Sequence, residues 1–463
     1  MNGLERLATI RNISVQKGKQ WVHKDIFRLL NKEDLWIVAY NNICARKKLE
    51  SEYLNEFKIK KLREIKTSVM NESYSPVFVN ESPIHLLNQA FFDTDNIVIE
   101  LIRMILESIF EPLFCDSNFG YMQNKNAHAT LKYIEDHFKG CNFLIQGEFE
   151  KIYQSIDYNL LTKVINKYVK DIRFNNLIRK LLNSGLLDTG KKEKYSTIKV
   201  YETTRLQELF LNIYINEFDN WIEDYLKISI KNPNTVHNLT FSKIQYVRYM
   251  ETWILGVETD QTLALHIKKK VETFLLEQLY LPVTKINLVC LTAGTLSFLD
   301  YEIYLVRSSS SEKRTNLGYK TTTRLRFDIP INKLLKNLEK NGIIKSTLSG
   351  YRPISKGKYT RLEDYKIVLH FTFVWNSLKN YYSGITNPQK LQYIYWLLRI
   401  SCAMTLAQKH NSTCTKIFKK NGKSLTVEIP NKKQKVFFES NLIKTRKWKT
   451  SKILTNPFKI LQT

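Results

Sequence analysis

The chain has 463 residues, enough to bury a large core and to form two to four domains. Lys and Arg number 71 against 44 Asp and Glu, a net charge of +27 that selects a polyanionic partner, nucleic acid before an anionic membrane. Composition also argues against other classes: no apolar run reaches the roughly 18 residues of a bilayer span, and the six cysteines and eight histidines are scattered without zinc-ribbon or disulfide spacing.

The N-terminal stretch MNGLERLATIRN has no signal-peptide core, and its Glu5 is foreign to transit peptides, so the chain is expected to work where it is made. Residues 1–75 read as a basic, helical N-terminal extension. Residues 95–110, DNIVIELIRMILESIF, place apolar side chains at helical spacing behind an Asp/Asn start. NFLIQGEF at 142–149 reads as a strand. Asp157 is placed to cap a helix whose Leu160, Leu161, Val164, Ile165 and Tyr168 form one apolar stripe. A helix over 205–225 precedes KIQYVRYMETWILGV at 243–257, whose alternation breaks for a few residues and resumes, as in a hairpin. A helix near 260–279 and strands near 285–305 follow. Strands alternating with helices imply a mixed α/β or α+β core.

The polar stretch 306–326 reads as a linker, and 330–410 as mostly helical. From Ser401 to Thr463 there are 14 Lys and Arg against 2 Asp and Glu, and the residues after about 440 lack periodicity, which predicts a mobile basic tail.

In order and spacing these stretches resemble the group II intron maturases. LIRMILESIFEPLFCDSNFGYMQNKNAHATLKYI (101–134) resembles their fingers, and IQGEFEKIYQSIDYNLL (145–161) their first palm motif. RLQELFLNIYINEFD (205–219) resembles the helix after their PQG segment, and YVRYMETWILGV (246–257) their catalytic hairpin. WNSLKNYYSGI (375–385) and LRISCAMTLAQKHNSTCTKIFKKNGKSL (398–425) resemble domain X. Degenerate members linked to group II and group III introns look most similar. The resemblance implies an α+β fold: a reverse transcriptase-like right hand of fingers and palm over 76–305, a linker at 306–326, a mostly helical thumb or domain X over 327–430, and a basic tail over 431–463 without an HNH endonuclease. It implies an RNA-binding splicing factor whose partner is its host intron RNA, with other splicing factors as further candidates and no membrane. A plastid is the first expectation for its location and a mitochondrion the second; few glycines (15) beside 25 Tyr and 24 Phe fit an A/T-rich genome.

Family polymerases hold two divalent ions with three aspartates, and the matching positions here are Glu148, Glu251 and Thr252. The longer Glu arm displaces its oxygens, Thr252 offers no carboxylate, and Mg²⁺ tolerates little departure from octahedral geometry. The family PQG falls on Tyr201-Glu202-Thr203, its GFRP on Gly120-Tyr121-Met122-Gln123, and its basic stretch near 79–84 has no Lys or Arg. Tyr153 and Lys285 match the family's sugar-contacting aromatic and late palm lysine, with core packing and a solvated strand-end charge the other readings of the two. Polymerase activity is therefore expected to be lost, with Mg²⁺ needed only if it survives; an active enzyme with a Glu-substituted site and a functionless relic are the rivals. Asn376, Lys379, Asn380, Tyr381 and Tyr382 mix amide, ammonium and aromatic groups suited to RNA, with core packing an equal reading of the two tyrosines. Lys409, His410, Lys416, Lys419, Lys420 and Lys423 form the second candidate RNA surface.

Overall fold

A computed structural model describes residues 2–46, 56–76, 94–120, 122, 125–149, 152–187, 200–231, 243–282, 285–307, 314–315, 318–319, 323–429, 435–436, 438 and 446–450. The expected basic stretch at 79–84, and Tyr121 and Gln123, lie outside the described residues, as do the side chains of Tyr153 and of 201–203.

Helices α1 (Gly3–Lys17), α2 (Glu33–Arg46) and α3 (Glu56–Met70) lead into α4 (Thr94–Phe110). Asn2 and Glu5 form a reciprocal capping box at the start of α1. The first 75 residues are no appendage: Leu7, Ile10, Leu35 and Trp36 lie in the same core as Ile102, Ile105 and Ile109 of α4. A helix buries an apolar stripe wherever it finds a complementary one, and basic composition on its outer face says nothing about that.

After α5 (Ala127–His137) comes strand β1 (Phe143–Glu148), the short α6 (Ile152–Ser155), α7 (Tyr158–Tyr168) and α8 (Ile172–Asn183). Asp157 caps α7 by accepting from the Leu160 N–H at 2.8 Å, and Asp171 does the same for α8. The long α9 (Val200–Lys231) precedes the hairpin β2 (Lys243–Tyr249) and β3 (Thr252–Glu258), then α10 (Gln261–Gln278) and β4 (Ile286–Cys290). These strands form an antiparallel sheet in the order β2-β3-β1-β4.

Both faces of that sheet are covered. Ile145, Tyr246 and Leu255 pack with α1–α4 and α7–α10, while Leu144, Val247 and Ile254 pack with the second core. The second core is built on β5 (Leu296–Phe298), β6 (Tyr301–Arg307), and, past the two-residue strands β7 (Arg314–Thr315) and β8 (Gly318–Tyr319), β9 (Thr323–Asp328). Helix α11 (Ile331–Lys340), the hairpin β10 (Ile344–Thr347) and β11 (Gly350–Pro353), and helices α12 (Asp364–Tyr381), α13 (Gln389–Lys409) and α14 (Cys414–Asn421) complete it, with β12 (Val427–Glu428) paired to β13 (Lys435–Val436).

The fold is α+β, as expected. The expected linker at 306–326 is not a boundary: β6 pairs with β9 through Arg307↔Thr323, so the chain leaves and re-enters one sheet. Polar, turn-rich composition marks a long excursion between paired strands as readily as a spacer between domains.

Candidate functional site

The hairpin tip is a two-residue turn, Met250-Glu251, in which Met250 takes a positive φ of 53°. Only the first turn residue needs that conformation in a II′-type turn. Arg248, fully buried on β2, holds the turn from beneath. Its Nη1 donates to the Met250 carbonyl at 2.9 Å, its Nη2 to Asp219 at 2.6 Å and to Asn212 at 2.7 Å, and its Nε to Asp219 at 2.8 Å. Asp219, on α9 and equally buried, also accepts from the Tyr246 hydroxyl at 2.7 Å.

The loop before α5 is tied into the same network. Asn118 donates to Asn212 and accepts from the Gly120 N–H, and the Phe119 N–H donates to the Arg248 carbonyl. Gly120 lies so close to the turn that a Cβ there would meet the Met250 nitrogen at 2.5 Å, which leaves room for no other residue. The tip is therefore a rigidly held object.

Glu148 ends β1 directly opposite Thr252, and the Phe149 N–H donates to the Glu251 carbonyl at 3.0 Å. The three positions matched to metal ligands thus converge at one end of the sheet. Their chemistry diverges. The Thr252 hydroxyl donates to the Tyr249 carbonyl across the turn at 3.0 Å. Glu148 is exposed and lines an open cleft of about 760 Å³ with Lys285, Lys268, Gln146 and Asn287. The charge of Glu251 bears on Tyr249 and Glu208: the Glu208 carboxyl is raised above its usual range by burial first, against the pull of Arg205, with Glu251 adding to the rise.

Among the described residues, no three His, Cys, Asp or Glu side chains group to hold a metal. Two ions bridging attacking and leaving oxygens need several carboxylates aimed at one spot, and this donor set does not fit them. Sequence reasoning missed Glu208, because the residues matching it in a helical motif carry no signal about a turn 40 residues away.

The first candidate RNA patch is largely internal. Tyr382 is fully buried and Tyr381 4% exposed, among Tyr301, His128 and Trp448. Tyr381 donates to the Leu299 carbonyl at 2.8 Å, and its own carbonyl accepts from His128 Nε2 at 2.5 Å and from the Tyr301 hydroxyl. Neither ring has a face for a base, so both leave the RNA surface and join the core. Asn380 is exposed, but its side-chain oxygen accepts from Lys449; Asn376 and Lys379 are half-buried.

Lys449 belongs to the segment expected to be a mobile tail. Residues 446–450 instead cross the end of α12 as a strap. Arg446 donates to the Gly384 carbonyl and to Glu135, Trp448 Nε1 to Glu135 at 2.6 Å, and the Lys449 N–H to His128 Nδ1 at 2.9 Å. A Cβ on Gly384 would meet the Trp448 ring at 2.0 Å. Periodicity cannot foresee a segment ordered by one indole and its partners rather than by its own repeat.

In the second candidate patch, Lys409 and His410 both bind Asp364, at 2.5 and 2.7 Å. Burial would raise the Asp364 carboxyl, but these two partners hold it below its ordinary value. Lys416, Lys419 and Lys420 on α14 and Lys423 beyond it are exposed, and none forms an ion pair with a described residue. Between 323 and 429 the sequence has 19 Lys and Arg against five acids. All five acids are engaged: Asp328 with Lys390, Glu339 with Ser346, Glu363 with Lys366, Asp364 as above and Glu428 with Lys435. The cationic excess therefore faces solvent.

Residues 322–463 match the type II intron maturase family. The group II intron-encoded protein LtrA of Lactococcus lactis subsp. cremoris is 25% identical over 91% of this chain and 82% of its own length. Maturase K of Physcomitrium patens is 25% identical over 87% of this chain and 86% of its own. A putative COX1/OXI3 intron 1 protein of Saccharomyces cerevisiae is 26% identical over 75% of this chain, which spans 47% of that longer protein.

Proposed function

Because residues 322–463 match the type II intron maturase family and the chain is similar to intron-encoded maturases over most of its length, we propose that it is a group II intron maturase that binds intron RNA and assists splicing, with nucleotide polymerisation lost. The observation that carries the proposal is the C-terminal surface, where each acid between 323 and 429 is engaged within the protein and the lysines of α14 form no ion pair with a described residue. Such a surface holds phosphates and sets the register of an RNA without reading sequence. The expected arrangement is a right hand, with the four-stranded sheet as palm and α11–α14 as the thumb or domain X. The host intron is the first partner to try. A plastid is the proposed location and a mitochondrion the second; likeness to proteins called Maturase K supports the former, and likeness to COX1 intron proteins keeps the latter.

The test is binding of the full chain to candidate intron RNAs over a salt series, alongside splicing of the same RNAs. Replacing Lys416, Lys419, Lys420 and Lys423 by Ala is expected to weaken binding and flatten the salt slope by about one unit per lost phosphate contact. A variant that binds as the parent does at every salt concentration removes this surface from the proposal, and a chain that binds no intron RNA overturns it.

Loss of polymerisation is tested separately. Primer extension on an RNA template with Mg²⁺ or Mn²⁺ is expected to give no product, since Glu148 and Glu251 carry longer arms than aspartate and Thr252 is neutral. Incorporation that disappears in Glu251→Ala would reverse this part of the reading.

A further inference from the structure

Helix α13 buries Leu391, Ile394, Leu397 and Leu398, yet carries two large aromatic residues off that stripe. Tyr393 is 37% and Trp396 45% exposed, and their rings stack at 6.1 Å with 15° between planes. Two near-parallel rings one turn apart on a helix surface form a ledge. Its ends are anchored. The Tyr393 hydroxyl donates to the Tyr351 carbonyl of the β10–β11 hairpin at 3.4 Å. One turn beyond Trp396, the Arg399 guanidinium lies 4.8 Å over Phe418 of α14 and donates to the Lys423 carbonyl.

Both anchors are cationic. Lys345 and Arg352 are direct partners across the β10–β11 ladder, both exposed, and neither forms an ion pair with a described residue. Like charges placed opposite each other weaken a ladder unless an anion lies over them. At the other end stand Lys416, Lys419, Lys420 and Lys423. A protein-binding patch concentrates aromatic residues but depletes charge at its centre. Here cations flank the rings on both sides and the neighbouring acids are engaged elsewhere.

We infer that the surface running from Lys345 and Arg352 across Tyr393 and Trp396 to α14 binds an unpaired, single-stranded RNA segment, its bases stacked on the two rings and its phosphates on the flanking cations. The inference rests on the RNA-binding function proposed above and assigns to this surface the unpaired parts of the RNA. A duplex buries its base faces and cannot use the ledge, whereas any unpaired base can.

The test uses the full chain with two probes: an unstructured RNA of about 12 nucleotides and a duplex of the same length. The single strand is expected to bind more tightly than the duplex. Tyr393→Ala with Trp396→Ala should weaken single-strand binding roughly tenfold or more at unchanged salt slope, while leaving duplex binding alone. Lys345→Ala with Arg352→Ala should instead lower the salt slope by about two. If the double aromatic variant fails to fold, Trp396→Phe decides. Stacking quenches indole emission, so the quench on adding the single strand should be smaller in Trp396→Phe than in the parent; an equal quench overturns the inference. Single-strand binding unchanged by loss of both rings overturns it too. If the parent binds intron RNA but not the unstructured strand, the ledge is refuted and the proposed function stands. If it binds neither, the proposed function itself is refuted.

Discussion

Asp219→Ala is expected to lower the free energy of unfolding by about 3–5 kcal/mol, the range for stripping one partner from a buried ion pair. Arg248 and Asp219 are both fully buried, so the guanidinium left behind has no water to turn to. The Tyr246 hydroxyl would lose its acceptor as well. The double variant Asp219→Leu, Arg248→Met, set beside its own two single changes, removes both charges together. It should cost far less than the sum of the singles, with a coupling of at least about 2 kcal/mol in a double-mutant cycle. Some cost remains, because Asn212 and the Met250 carbonyl lose a donor. Urea unfolding of the four proteins reads this directly. Additive single effects would show that Arg248 and Asp219 do not act as a pair. Since Arg248 also holds the Met250 carbonyl, either single change should loosen the hairpin tip.

Acidification should destabilise the protein between about pH 6.5 and pH 4, most strongly through two histidines, with His23, also lowered by burial, adding to the effect. His128 sits in the second core, donating from Nε2 to the Tyr381 carbonyl and accepting at Nδ1 from the Lys449 N–H. Burial drives its pKa down to about 4, against the opposing pull of the Tyr381 carbonyl, and burial does the same to His370, helped by Lys356. A base with a depressed folded pKa takes up its proton more readily when unfolded. Stability is therefore full above about pH 6.5, falls as pH drops towards 4, and levels off below. His128 and His370 each account for about 3 kcal/mol over the whole window and about 2 by pH 5. Protonating His128 also forces a second N–H against that of Lys449, so the strap at 446–450 should detach before the core opens. Unfolding free energies at pH 7 and pH 5 should differ by about 2 kcal/mol less in His128→Gln than in the parent. Equal differences would place the acid sensitivity elsewhere.

What the sequence revealed and what it hid follow one physical rule. Alternation and turn residues disclosed β1 and the β2–β3 hairpin, and a carboxylate before an apolar stripe disclosed the cap at Asp157, because each is a property of one element. The approach of Glu148 to the hairpin tip followed from the family likeness, which no local pattern shows, since the ladder register joins residues about 100 apart. What stayed hidden depends on partners. Lys409 and Lys420 look alike in sequence, yet Asp364, 45 residues upstream, engages the first and not the second. Tyr381 and Tyr382 read equally well as surface or core until His128 and Trp448 close over them. Tyr393 and Trp396 were more accessible, since both fall off the apolar stripe of α13; a large aromatic out of phase with its helix is a signal that charge counting passes over.

The four-stranded sheet supplies alternate residues of the same strands to two different cores: Ile145 to one and Leu144 to the other, Leu255 to one and Ile254 to the other. Neither core can lose its wall without exposing the other. Heat or denaturant should therefore meet one cooperative unit, with a single transition seen by probes on either side, where 463 residues would ordinarily come apart in stages. The hairpin tip and the second core share that sheet, so a ligand held by the second core finds the tip tied to it through β2 and β3.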